Sequence, residues 1–237
     1  MIAYAGERAT ALHEYIFALP AEQVRGNPWA IVDAIDEFAN EKGLPLIFRQ
    51  NKLELSRGVL GAMNPKPKVV VEFGTFVGNS ALAWGASLRD FYGQGTDGLH
   101  VFAFELQPKF AQIARDFIKL AGLDDIITVL EGTGAESLKK LHDEGKVVPG
   151  GVDVIFLDHW KDVYLPDLKL VEQLKLFHIG SVIIADNTDF PGAPDYVEYV
   201  KNGGSGESGA FRYETESLVA AGQERGPKIV MVSKVVD

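Results

Sequence analysis

Lys68-Val69-Val70-Val71-Glu72-Phe73-Gly74-Thr75-Phe76-Val77-Gly78-Asn79-Ser80 is the stretch that decides the fold. It opens with a short apolar run rich in β-branched residues. Glycine follows at once, and a helical pattern begins at Ser80. A continuous apolar run of this length is what a strand covered on both faces requires. The glycines permit a tight turn and close approach of a ligand to the backbone. Their Gly-x-x-x-Gly spacing is not the Gly-x-Gly-x-x-Gly that cradles a pyrophosphate, so a cofactor lacking pyrophosphate fits better.

The same unit recurs downstream. His100–Glu105, Ile126–Gly132, Val152–Asp158 and Ser181–Asn187 read as further strands. Helices are expected over Pro108–Leu120, through Leu138–Leu141, and near Leu165–Leu176. The Gly-rich insert 92–98 reads as a surface loop. Strands alternating with helices predict an α/β, mostly parallel doubly wound sheet. At the end, Phe211–Val219 and Lys228–Val236 flank residues 220–227 with no room for a helix, so they should pair as a C-terminal antiparallel hairpin. That combination is Rossmann-like in the manner of methyltransferases rather than of nicotinamide dehydrogenases.

Upstream, apolar residues recur three and four apart between Trp29 and Phe38, after Asn27-Pro28 as cap and first turn. A second helix is expected over Lys52–Met63. Residues 1–64 therefore form an N-terminal helical cover and residues 65–237 the core of one methyltransferase domain.

The 237 residues are 46% hydrophobic and 24% charged, ordinary for a globular protein. A net charge of −10 argues against nucleic-acid binding through phosphate neutralisation and against docking on an anionic membrane. With no cysteine, thiolate chemistry and disulfides are excluded. No secretory signal or membrane-length apolar run is evident, so a cytoplasmic location is expected.

Ligands of such sheets sit at the carboxyl ends of the strands. Five acidic positions fall there: Glu72, Glu105, Glu131, Asp158 and Asp186. Glu105 is placed to accept from two ribose hydroxyls. Asp158, Asp186 and Asn187 offer hard oxygen ligands for magnesium, which uses few carboxylates and keeps waters or substrate oxygens. Turn chemistry explains Asp186-Asn187 alone; Asp158 on a neighbouring strand favours a metal.

Phe156-Leu157-Asp158-His159-Trp160-Lys161-Asp162-Val163-Tyr164-Leu165-Pro166-Asp167 and Ala185-Asp186-Asn187-Thr188-Asp189-Phe190-Pro191-Gly192-Ala193-Pro194-Asp195 resemble signature segments of the catechol O-methyltransferases. Asn27 through Lys42 resembles that family's first helical block. Gly74–Ser80 is similar to its glycine loop at the glycines and the serine. The resemblance runs from about Gly26 to the C-terminus.

It implies an O-methyltransferase that uses S-adenosyl-L-methionine and Mg2+ on a small catechol-type substrate. Asp158, Asp186 and Asn187 would bind the metal, and Lys161 would be the general base. Leu46, Phe48, Glu72, Gly74, Thr75, Phe76, Gly78, Ser80, Glu105, Leu106, Gly132, Thr133, Asp158, His159 and Trp160 would hold the cofactor. Trp160, Lys161, Asn187 and Pro191 would line the substrate. A hairpin carboxylate, Glu214 or Glu216 with Glu214 preferred, would hold the second hydroxyl. The chain departs from the animal enzymes at Leu44, where they carry a wall tryptophan, at Phe76 and Asn79 for two tyrosines, and at Val163 for an arginine. A looser aromatic wall follows, and with it either a larger diphenol or a different regiochemistry. A magnesium-dependent methyltransferase of another vicinal diphenol and a nicotinamide-dependent oxidoreductase are the alternatives.

Overall fold

The computed structural model describes residues 2–93, 95–221 and 229–237. Gln94 and residues 222–228, which include most of the expected hairpin turn and the expected first strand residue Lys228, lie outside them.

Seven strands form one sheet in the order β3-β2-β1-β4-β5-β7-β6. They are β1 (Val69–Phe73), β2 (His100–Glu105), β3 (Ile127–Glu131), β4 (Val152–Leu157), β5 (Phe177–Asp186), β6 (Tyr213–Val219) and β7 (Ile229–Val235). The first five run parallel, and β7 inserts antiparallel between β5 and β6. The expected doubly wound sheet with a terminal hairpin is what forms. Its order reverses between β1 and β4, which opens a crevice at their carboxyl ends.

Alternate residues of each strand enter opposite cores. Val70, Val101, Phe156 and Ile184 share one buried cluster with Leu12, Ile35, Leu53, Trp84 and Phe117. Val71, Phe104, Leu157 and Ile183 share the other with Leu138, Leu168, Tyr196 and Val200. Both faces are covered, which is why the strands read as unbroken apolar runs.

The first cover comprises α1 (Ile2–Ala18), α2 (Ala21–Val24), α3 (Pro28–Lys42), α4 (Gln50–Ala62), α5 (Asn79–Tyr92) and α6 (Pro108–Ala121). The short α2 adds Val24 to the core. The second comprises α7 (Gly134–Asp143), α8 (Tyr164–Gln173) and α9 (Pro194–Lys201). Local signals set the ends. The Asn27 side chain accepts from Ala30 N–H, Pro28 opens α3, and Gly43 closes it with φ 69°. Thr133 and Glu136 form a capping box on α7. The N-terminal cover packs through α3 on α5 and through α1 on α3 and α6.

Two differences from the sequence expectation concern β5 and α9. β5 begins at Phe177 rather than Ser181, because a register irregularity at Val152/Val154 and a left-handed Gly180 (φ 96°) let the chain pair before the apolar run starts. Helix α9 is not among the helices expected from the sequence; its eight residues are too short a window to establish a helical period.

Candidate active site

The carboxyl ends of β1, β2, β3, β4 and β5 carry the residues singled out above. The β1–α5 loop is shaped by close approach. Gly74 has φ 91°, and a Cβ there would lie 2.8 Å from Asp158 O and His159 N. Only glycine lets the loop of β1 lie against the end of β4. Gly78, φ 88°, starts α5, and its missing Cβ leaves room for Ala114 of α6.

The acids beside this loop are satisfied from within. Glu72 is fully buried and accepts from Thr75 Oγ1 at 2.8 Å and Trp84 Nε1 at 2.7 Å, with Ser80 adding a further bond. Burial pushes its carboxyl up to about 8, against the pull of those hydrogen bonds. Glu105 accepts from Phe76 N–H at 2.7 Å and Gln107 N–H at 2.8 Å. Burial raises it too, and the backbone N–H bonds pull it back. Phe76 and Gln107 each use one lone pair of a different Glu105 oxygen, and the N–H groups of Thr75 and Leu106 also approach the carboxylate. Leu106 beside it is 60% exposed, an apolar face available to a base. Gly132 donates to the Glu105 carbonyl at 3.0 Å and brings Thr133 alongside, although the Thr133 hydroxyl is engaged by Glu136.

At β4, His159 Nε2 pairs with Asp167 at 2.8 Å, and the ring stacks on Tyr164 with centroids 5.0 Å apart. Burial lowers the imidazole, with Asp167 pulling the other way. With the proton on Nε2 facing Asp167, Nδ1 is a buried acceptor with no partner among the described residues. An orphaned acceptor, a ribose-ready carboxylate and an exposed leucine along one edge suit a nucleoside.

The β4–β5 side is built of charges. The wide turn Thr188–Gly192 after β5 starts from a left-handed Asn187 (φ 53°). The inward atom of its amide lies 3.2 Å from both Asp186 Oδ2 and Asp158 Oδ1. Turned with nitrogen inward, the amide donates to both carboxylates. Turned with oxygen inward, three oxygens face one another. Adjacent octahedral ligands about 2.1 Å from magnesium stand about 3.0 Å apart, so the donor set fits such a cation. Burial, and after it the Asp186 charge, raises Asp158; burial also raises Asp186. A cation would relieve both. Among the described residues no three His, Cys, Asp or Glu side chains form a metal cluster, so the set is two carboxylates and an amide.

Two lysines close the cluster. Lys161 Nζ lies 3.3 Å from Asp158 Oδ1 and donates to the Tyr164 hydroxyl, which in turn points at the Leu157 carbonyl at 2.7 Å. Lys52 Nζ of α4 lies 2.6 Å from Asp186 Oδ1. Lys52 carries no local signal of this role, because its partner lies in β5, far along the chain.

Several expected residues stand elsewhere. Glu131 is drawn to the surface by Arg115, 2.5 Å away, so four of the five acids reach the edge. Glu214 is exposed and pairs with Lys234, which pairs with Val182; Asp186 pairs with Val230 and, beyond it, Leu218. At about 3.3 Å per residue, Glu214 is set back some ~13 Å along the sheet from Asp186. Glu216 is also set back, opposite Val232 and Ile184. The hairpin register thus removes Glu214 from the cluster, contrary to the sequence expectation. Phe48 is buried against Phe156 and Trp84, whereas Leu46 is 53% exposed. Leu44, expected at a substrate wall, is buried in the first core. Trp160 and Pro191 are both exposed at the rim beside the cluster, with Phe190 71% exposed next to them.

Comparison with known proteins bears on the family and the fold. Residues 59–200 match the O-methyltransferase family model. The chain is 34% identical over 203 residues to catechol O-methyltransferase of Bos taurus, covering 85% of this chain and 71% of that one. It is 32% identical over 209 residues to catechol O-methyltransferase B of Danio rerio, covering 88% and 75%. The crystal structure of the O-methyltransferase from Bacillus cereus in complex with SAH matches with TM-score 0.62 and 23% identity over 87% of this chain and 89% of that one, a likeness of fold. These matches and the antiparallel hairpin leave the nicotinamide alternative without support. No helix among the described residues is long and apolar enough to cross a membrane. The chain belongs to the O-methyltransferase family and, within it, to the catechol O-methyltransferases.

Proposed function

We propose that the protein moves the methyl group of S-adenosylmethionine to one hydroxyl of a catechol-type vicinal diphenol, with Asp158, Asp186 and Asn187 holding magnesium and Lys161 acting as general base. The observation that carries this reading is the meeting of the Asp158 and Asp186 carboxylates at the Asn187 amide, whose inward atom lies 3.2 Å from each, with Lys161 Nζ beside them and a glycine loop next to them.

The chain's residues divide the work. Glu105 would accept from the ribose hydroxyls, Leu106 would lie on the base, and His159 Nδ1 would accept from the cofactor. Gly132-Thr133 would border the base, and the Gly74–Gly78 loop with Glu72 and Ser80 would hold the amino-acid end. Leu46 borders the cofactor in this reading, and Phe48 supports it from the core. Trp160 and Pro191 would flank the aromatic ring. When bound, the cofactor supplies an electrophilic sulfonium methyl, and the cation would stabilise a diphenol oxyanion. Lys161, an ammonium in the resting cluster, would first give its proton to solvent, and its Nζ amine, held in place by the Tyr164 hydroxyl, would then take the hydroxyl proton. The freed oxygen would be the acceptor for that methyl, with the thioether as leaving group. No covalent enzyme intermediate is needed; positioning two substrates is the main task. With Leu44 turned into the core, nothing aromatic from that position narrows the ring site, which favours diphenols larger than catechol itself.

The test is methyl transfer over a panel of diphenols of increasing size, with and without EDTA. Transfer should vanish with EDTA and return with magnesium. Activity indifferent to EDTA would remove the cation from the scheme. Cofactor binding without transfer to any diphenol would point to another acceptor.

A further inference from the structure

We infer that Lys52 is a positioning residue that makes cation binding depend on the diphenol; the inference rests on the cation site proposed above. Lys52 and Asp186 are both buried, with side chains 6% and 5% exposed and 2.6 Å between Nζ and Oδ1. The Lys52 stem passes from the first turn of α4 over the Phe48 ring, with Nζ 5.9 Å from its centroid. A buried ion pair adds little net stability compared with an apolar replacement. Its presence at the reaction edge therefore points to a task other than holding the fold.

The task follows from charge. Asp158 and Asp186 bring two negative charges, and Lys161 and Lys52 each set an ammonium against one of them. The cluster is already neutral before a divalent cation arrives. Adding the cation alone leaves two uncompensated positive charges in a poorly solvated site, which is costly. The diphenol oxygens bring negative charge that offsets part of this excess. Cation and diphenol should then strengthen each other's binding, and by linkage the factor is the same in both directions. Without Lys52 the cluster would carry a net negative charge and hold the cation unaided.

The experiment uses the full chain saturated with S-adenosylhomocysteine. Magnesium affinity is measured by calorimetry with and without catechol, and bound Mn2+ is counted by electron paramagnetic resonance. Lys52→Met, which keeps the stem and removes the charge, should bind the cation alone at least about tenfold tighter than the unaltered protein. The gain in cation affinity on adding catechol should shrink by a similar factor. Lys52→Arg should keep the original coupling. Cation binding by Lys52→Met that is equal or weaker, with the fold intact by circular dichroism, overturns the inference. So does an arginine variant that behaves like the methionine one. If Lys52→Met does not fold, Lys52→Gln carries the same two outcomes. A protein that binds no cation with or without catechol overturns the cation site itself, a result distinct from a Lys52 variant that matches the original.

Discussion

The two halves of the site are built on different principles. Around Gly74 and Glu105 the acids are met by neutral donors: backbone N–H groups of Phe76 and Gln107, a threonine hydroxyl and an indole. Around Asp158 and Asp186 they are met by ammonium groups that reach in from α4 and from the turn after β4. The first half is fixed by chain geometry and is complete without a ligand. The second is a balance of four charges that any bound cation or diphenol must disturb. One half is suited to holding a cofactor in a fixed pose, the other to responding when a substrate arrives.

The sharpest test of this contrast is Lys161→Ala. Loss of a general base costs roughly 10²–10⁴-fold in turnover, while cofactor affinity should hold, since no neutral donor of the first half is touched. Retained turnover would remove Lys161 from proton transfer, and a lost cofactor site would show that the halves are not separable. Gly74→Ala strikes where they meet. A left-handed backbone and a Cβ driven against Asp158 and His159 should cost roughly 2–5 kcal/mol in urea unfolding and weaken cofactor and cation together. A stability change under about 1 kcal/mol would mean that the loop gives way freely.

A smaller effect belongs to Glu72. Burial lifts its carboxyl from 4.5 to about 8. Across that window the folded chain holds a proton that the unfolded chain has lost, so this group makes stability fall as pH rises. Glu72→Gln should flatten the unfolding free energy between pH 4.5 and 8 by up to about 1.4 kcal/mol per pH unit relative to the parent. Parallel curves for the two proteins would show that Glu72 is ionised in the fold. The smallest effect is expected of Glu214→Ala: less than about a twofold change in turnover or diphenol KM, because the side chain is exposed and away from the cluster. A loss of tenfold or more would mean that the hairpin reaches the substrate after all.

Much of this was legible in the sequence because it is local or periodic. Unbroken apolar runs ending in an acid announce buried parallel strands. Gly74 and Gly78 sit where a left-handed turn is needed, and Asp158 and Asp186 end adjacent strands. Other features were hidden for physical reasons. Glu214 and Glu216 look alike along one strand face, and only the pairing of β6 with β7 and of β7 with β5 says how far each lies from Asp186. Glu131 ends a strand like the others, yet Arg115 on a neighbouring helix takes it to the surface. Leu44 follows the first helical block as a substrate wall would, but the chain turns it into the core.

The sequence by itself therefore determined the sheet, the covering helices and the edge at which chemistry is placed, because hydrophobic period and glycine position act over a few residues. The tertiary structure alone decided which charges face each other there. Lys52 is an unremarked lysine at the start of a helix until packing of α4 on the core sets it 2.6 Å from Asp186. Electrostatic partnership depends on distance in space and on exclusion of water, and a linear chain records neither.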